Sequence, residues 1–167
     1  EVSGGTGAKG NQKGDGAEMT IYDLHLELEK RVKALTEAAG IHDLKVYIRN
    51  LPPLKYEGDA DKLFPHCLIS VGDGSDDGEK SKITAFLGLG TKDTAPELTG
   101  YQDICHLIEV MRLSFAENPY IGRYAEITGP IGYTLTEQEE NTYPYFFGAV
   151  WFDVLIPSPQ RGYNDLV

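Results

Sequence analysis

The chain has 167 residues and a mass of 18.4 kDa. That length suits one domain, or one domain with tails, and can bury a core without a disulfide or metal staple. Lys plus Arg is 15 and Asp plus Glu is 26, a net charge of −11 with a pI near 4.7. This balance argues against general phosphate-backbone binding and against a polybasic membrane-surface role, both of which need clustered cations. Apolar residues make up 41%, too many for a wholly disordered acidic chain. No run approaches a membrane span, and no apolar h-region marks a signal peptide. Cys67 and Cys105 do not make a disulfide framework and are expected as reduced thiols in a cytoplasmic setting.

Residues 1–18 are glycine-rich and lack aromatics, so they are expected to form a flexible arm or leader. Met19 reads as an internal start. From about Thr20 to Ala39, Ile21, Leu24, Leu28, Val32, Leu35 and Ala39 recur at helical spacing. Thr20 and Asp23 form a capping box, and Gly40 can end the helix. Glu27 with Arg31, and Glu29 with Lys33, stand one turn apart and can pair.

Leu44, Val46 and Ile48 then alternate with polar partners as a strand that Pro52 and Pro53 end. A polar loop is expected over residues 54–63. A second strand follows from His66 to Val71, then a turn-rich stretch from Gly72 to Ser81. A third strand, about Lys82 to Leu89, completes a hairpin with an acidic tip. Thr99 and Gln102 suggest a capping box for a second helix ending near Ala116, which Asn118-Pro119 stops. A fourth strand covers Tyr124 to Thr128, and a short fifth contains Ile131, Tyr133 and Leu135. Residues 136–142 form an acidic loop. The last strand, Phe146 to Ile156, is the longest and most apolar and is placed centrally. Residues 158–167 form a polar tail. The order α-β-β-β-α-β-β-β lacks strict βαβ alternation. It predicts one α+β domain, residues 19–157, with a mostly antiparallel or mixed sheet of five to six strands and both helices on one face.

Gly5-Thr6-Gly7-Ala8-Lys9-Gly10 matches G-x-G-x-x-G but lacks the preceding strand and following helix that a dinucleotide site needs. Asp73, Ser75, Asp77 and Gly78 imitate a calcium loop, yet Thr84 stands where the bidentate carboxylate belongs. His66-Cys67 would point to opposite faces of a strand, and Cys105-His106 diverge around a helix, so neither pair reads as a zinc site. No nucleophile elbow occurs. The residues themselves give no catalytic, cofactor or metal assignment. Tyr143-Pro144-Tyr145-Phe146-Phe147-Gly148 is the densest aromatic cluster; alternation sends some rings to the core and leaves others, Tyr143 and Tyr145 among them, as anchors for a subunit contact.

Several landmarks together resemble the tail terminator proteins of long-tailed bacteriophages and phage-tail-like particles, also called tail-completion or tail-tube capping proteins. They are Phe64-Pro65-His66, Gly72-Asp73 before an acidic tip, Gly88-Leu89-Gly90, Gly100-Tyr101-Gln102-Asp103, Glu117-Asn118-Pro119, and Tyr143 to Gly148 before a strand ending at Ile156-Pro157. The likeness spans roughly residues 20–157 and includes the order of elements. It implies a non-enzymatic virion subunit without cofactors, assembled in the host bacterial cytoplasm. Six copies would form a ring on the finished tail tube, end its polymerisation and present a surface to the head connector or stopper protein. DNA would pass through without being held. The arm and tail depart from the family. Under this reading one of two acidic segments, either Asp73, Asp76, Asp77 and Glu79 or Glu137, Glu139 and Glu140, is expected to line or rim the ring and refuse a further tube subunit by like charge. The rival readings are another neck component, such as a head-completion or stopper protein, and a small thiol- or metal-dependent enzyme using Cys67 or Cys105 with a histidine.

Overall fold

The computed structural model describes residues 19–97, 99–136 and 142–158. The expected arm (1–18), most of the tail (159–167), and Glu137, Glu139 and Glu140 lie outside the described residues.

Helix α1 spans Ile21–Ala38. Its start follows from local chemistry. The Thr20 hydroxyl accepts from the Asp23 N–H, the Asp23 carboxylate accepts from the Thr20 N–H, and Gly40 takes a positive φ just past the end. Leu24, Leu28, Val32 and Leu35 are buried as the period required, but Ile21 and Ala39 at the stripe's ends are exposed. Glu29 pairs with Lys33 as expected. Arg31 does not turn to Glu27. Its guanidinium reaches helix α2, Thr99–Glu117, donating to the carbonyls of Ser114 (3.0 Å) and Asn118 (3.2 Å) at that helix's C-terminal end. The cation thus satisfies carbonyls at the negative end of a helix dipole.

Six strands form one mixed sheet in the order β1-β2-β3-β6-β5-β4. They are β1 Lys45–Ile48, β2 His66–Asp76, β3 Lys80–Lys92, β4 Tyr120–Ile121, β5 Ala125–Leu135 and β6 Tyr145–Pro157. Strands β1 and β2 pair in parallel, and every other pairing is antiparallel. The predicted α+β architecture is therefore present, with β6 in the sheet interior beside β3.

Four local expectations change. Residues Glu57–Leu63 form a 3-10 helix where a loop was expected. Strand β2 runs on to Asp76, because a bulge between Val71 and Gly74 lets the Gly-Ser-Asp stretch stay paired instead of turning. The expected fourth and fifth strands are one strand, β5, with a register shift between Thr128 and Gly132, where Gly129 takes a positive φ. Thr99 is the first helical residue of α2, and its hydroxyl donates to the Asp93 carboxylate, so the Thr99–Gln102 capping box gives way to a link from the β3–α2 connection.

Both helices cover one sheet face. Ile83, Ala85, Leu87 and Leu89 of β3, and Phe146, Val150, Phe152 and Val154 of β6, point into that core with Ile104, Ile108, Met111 and Phe115 of α2. Helix α2 lies over β3, β6 and β5, while α1 touches β1 and β2 at one edge and β4 at the other. The sheet therefore curls around the helices, and its second face carries neither of them.

Candidate assembly surface

Alternation fixes what the second, outer face carries. Since Ala85 and Leu87 point inward, Phe86 points out; since Val150 and Phe152 point inward, Trp151 points out. The register places Phe86 opposite Trp151 and Trp151 opposite Gly132. One row further on, Leu68, Gly88, Ala149 and Thr134 lie side by side, and then Gly90 and Phe147. These middle rows hold no charged side chain between β2 and β5. Phe86 is 42% exposed, and Phe147 and Trp151 are each 37% exposed. Three half-exposed rings on one sheet face mark an unsatisfied apolar surface.

Two cations at the margins of this face pair with carboxylates. Lys82 Nζ sits 2.9 Å from the Asp153 carboxylate, which also accepts from the Thr84 hydroxyl. Those two partners hold the Asp153 carboxyl below the usual range. At the other end Lys92 pairs with Asp61 of the 3-10 helix. The Lys92 partner, then the Tyr145 hydroxyl, lower the Asp61 carboxyl; Asp61 in turn raises Lys92 and Tyr145. Lys45 Nζ donates to the Phe64 carbonyl.

The expected anchor residues take distinct places. Tyr145 is half-buried on the outer face, donates to Asp61 (2.7 Å) and stacks on Phe64 at 4.9 Å between centroids. Tyr143 is exposed and donates to the Thr94 carbonyl (2.6 Å), tying the start of β6 to the β3–α2 connection. Phe146 is in the core and Phe147 outside, so the aromatic cluster splits between faces as alternation demanded. Under Phe64, His66 Nδ1 lies 3.2 Å from the Leu63 carbonyl. Burial pushes the His66 pKa down, and Lys45 nearby adds to that.

The acidic tip is a β2–β3 hairpin, and its acids divide into two pairs. Asp77 Oδ1 accepts the N–H groups of Glu79 and Lys80 at 2.8 Å each, which closes the turn and lowers the Asp77 carboxyl. Asp76 accepts from the Ser81 and Ser158 hydroxyls and clasps the hairpin to the end of β6. Asp73 and Glu79 are exposed.

His66 and Cys67 face opposite sides of the sheet. Cys67 is buried in the core, and desolvation pushes its thiol up to about 12. Cys105 is half-buried on α2 and His106 is exposed. Among the described residues, no group of three or more His, Cys, Asp or Glu is placed to hold a metal ion, and no helix is long and apolar enough to cross a membrane.

Phe86, Trp151 and Leu68 were not singled out from the sequence. The signal was available: Ala85-Phe86-Leu87 and Val150-Trp151-Phe152 are apolar on both alternations, which means a strand with two apolar faces. The helices, however, can cover only one of them.

No family model and no curated protein matches this chain. Among the solved structures that align with it, one does so at a TM-score of 0.44 and 13% identity, over 86% of this chain and all of the other. That structure's name states no activity, and a likeness at this level carries no argument.

Proposed function

We propose that this chain is a tail-terminator-type assembly subunit of a phage or phage-tail-like particle. Copies form a six-membered ring that caps the tail tube, ends its growth and receives the head connector or stopper protein at the neck. The observation that carries the reading is the uncharged aromatic outer face, left bare on a chain of net charge −11. A chain that leaves such a face open gains most by covering it with another protein. The second support is the hairpin. Ending growth requires one ring face that matches the tube and another that refuses a tube subunit, and juxtaposed like charges supply refusal. Asp76 and Asp77 keep their charge but also hold the hairpin together, so Asp73 and Glu79 are the acids whose charge can be removed without opening it. An acidic ring would let DNA pass without holding it.

The test is to add the chain to polymerising tail-tube protein of the same particle. A cap acts at one end, so growth stops at amounts far below the tube subunit concentration. If arrest needs one copy per tube subunit, the chain sequesters subunits and this reading fails. The charge-neutral variant Asp73→Asn with Glu79→Gln still binds tubes but lets some grow past the cap.

A further inference from the structure

The outer face is not bare along its whole length. The connection from β1 to β2 folds back over one end of it as the 3-10 helix Glu57–Leu63 and Phe64. Two pins hold this segment down. The first is the Asp61 carboxylate, which takes Lys92 of β3 and the Tyr145 hydroxyl of β6. The second is ring packing. The Phe64 centroid lies 4.7 Å from that of His66, 4.9 Å from Tyr145 and 6.0 Å from Phe147. His66 sits on the outer face, with Cys67 beside it turned to the core, yet only 5% of it is exposed. Its ring and that of Phe64 both rest over Gly90, where a Cβ would come within 2.6 Å of the first and 2.9 Å of the second.

We infer that residues 57–64 are an acid-released strap, closed over the outer face near neutral pH and opened when His66 and Asp61 take up protons. The surroundings of His66 favour a neutral ring. Burial disfavours the imidazolium, the Leu63 carbonyl 3.2 Å from Nδ1 favours it, and Lys45 disfavours it, so that the balance holds the His66 pKa down. The remaining titratable neighbours are Tyr47 of β1 and, beyond Phe64, the group formed by Asp61, Lys92 and Tyr145. Of the acids in the 3-10 helix, Asp61 is taken by Lys92, Asp59 pairs with Lys62, and Glu57 is exposed at the helix start. A charged His66 therefore meets a cation and no unpaired carboxylate among these groups. The sign is the same at both pins. The open strap binds protons more readily than the closed one, so closure is fully favoured above the ordinary histidine range. It weakens as pH falls below that range, and again as pH falls through the lowered Asp61 value. Release uncovers His66, Tyr145 and Phe147 and lengthens the apolar face, whatever partner that face meets.

Two measurements on the full chain test it together: an NMR titration of the four histidines and amide exchange across residues 57–64. His66 should titrate below the exposed His42 and His106. Protection across the strap should fall about ten-fold between about pH 7 and about pH 5, beyond the change in intrinsic exchange, while β3 and β6 keep theirs. Phe64→Ala removes the cover and should bring the His66 titration into line with His42 and His106. Asp61→Asn removes the first pin and should move release to higher pH. His66→Gln cannot take a charge, so its strap should stay shut down to the carboxyl range. Where a variant fails to fold by circular dichroism, the two wild-type measurements decide on their own. A wild-type His66 that titrates with the exposed histidines overturns the inference. So does strap protection that is unchanged by acid, or that is lost only together with protection in β3 and β6. Release of His66→Gln at the wild-type pH overturns it as well.

Discussion

Gly132 lies directly beneath the indole of Trp151, and a Cβ at that position would overlap the ring. The missing side chain lets the largest residue of the outer face lie flat across the β5–β6 pair. The same device recurs where a Cβ on Gly90 would come within 2.6 Å of the His66 ring. Aromatic rings laid over glycines make a smooth face, which suits a broad contact better than a pocket.

Gly132→Ala should therefore lift the indole from its seat. Overpacking of this kind costs about 1–3 kcal/mol. Chemical denaturation followed by Trp151 emission should show a lower midpoint and a native emission shifted to the red. An unchanged native spectrum would mean the ring does not rest on this glycine.

Arg31 joins the two helices through carbonyls, so its loss should be felt at the end of α2. Arg31→Met keeps the aliphatic stem and leaves the Ser114 and Asn118 carbonyls without their donor. Hydrogen bonds from charged groups contribute about 1.5–3 kcal/mol each, with partial replacement by water at this half-buried site. A destabilisation of about 2 kcal/mol is expected, with amide exchange rising first around residues 114–121. Uniformly faster exchange would place the effect elsewhere.

Asp61 carries a pH signature of the outer face. Lys92 and Tyr145 depress its folded pKa, so its contribution is present above the ordinary carboxyl range and is lost as pH falls through the lowered value. The 3-10 helix should detach from Lys92 and Tyr145 in acid before the core opens. Tyr145→Phe removes one of the two depressing bonds, and a carboxyl titration by NMR should show the Asp61 pKa rising. A titration that stays put would show that Lys92 alone sets it.

The two cysteines should differ sharply in reactivity. Cys67 is buried with its thiol pushed up to about 12, whereas Cys105 is half-buried on α2. A thiol reagent at neutral pH should modify Cys105 in the native chain and Cys67 only on unfolding. Rapid native modification of both would contradict the packing of β2 under the helices.

Much of this fold was legible in the sequence because α1, β3 and β6 state their periods plainly. The Thr20–Asp23 box marked a helix start, and Ile83, Ala85, Leu87 and Leu89 marked a core face. The errors came where glycine has two meanings. At Gly72 and Gly74 it permits a bulge inside a continuing strand, and at Gly129 a bend within β5, yet local composition at both places reads as a turn. Thr99 looked like a cap because its hydroxyl does bond, but its partner Asp93 is upstream. The assembly surface was harder to read. Which apolar strand face stays bare depends on where two helices settle, and that is decided by tertiary packing. The acidic tip was visible at once, but the division of labour within it, with Asp76 and Asp77 closing the hairpin while all four acids stay exposed, needed the hairpin's geometry.

The central claim is that this chain caps a tail tube, and imaging tubes grown with and without it tests that most directly. The account predicts tubes of limited length, each bearing a six-fold ring at the head-proximal end and at no other. Tubes of unchanged length with no ring at either end would contradict it.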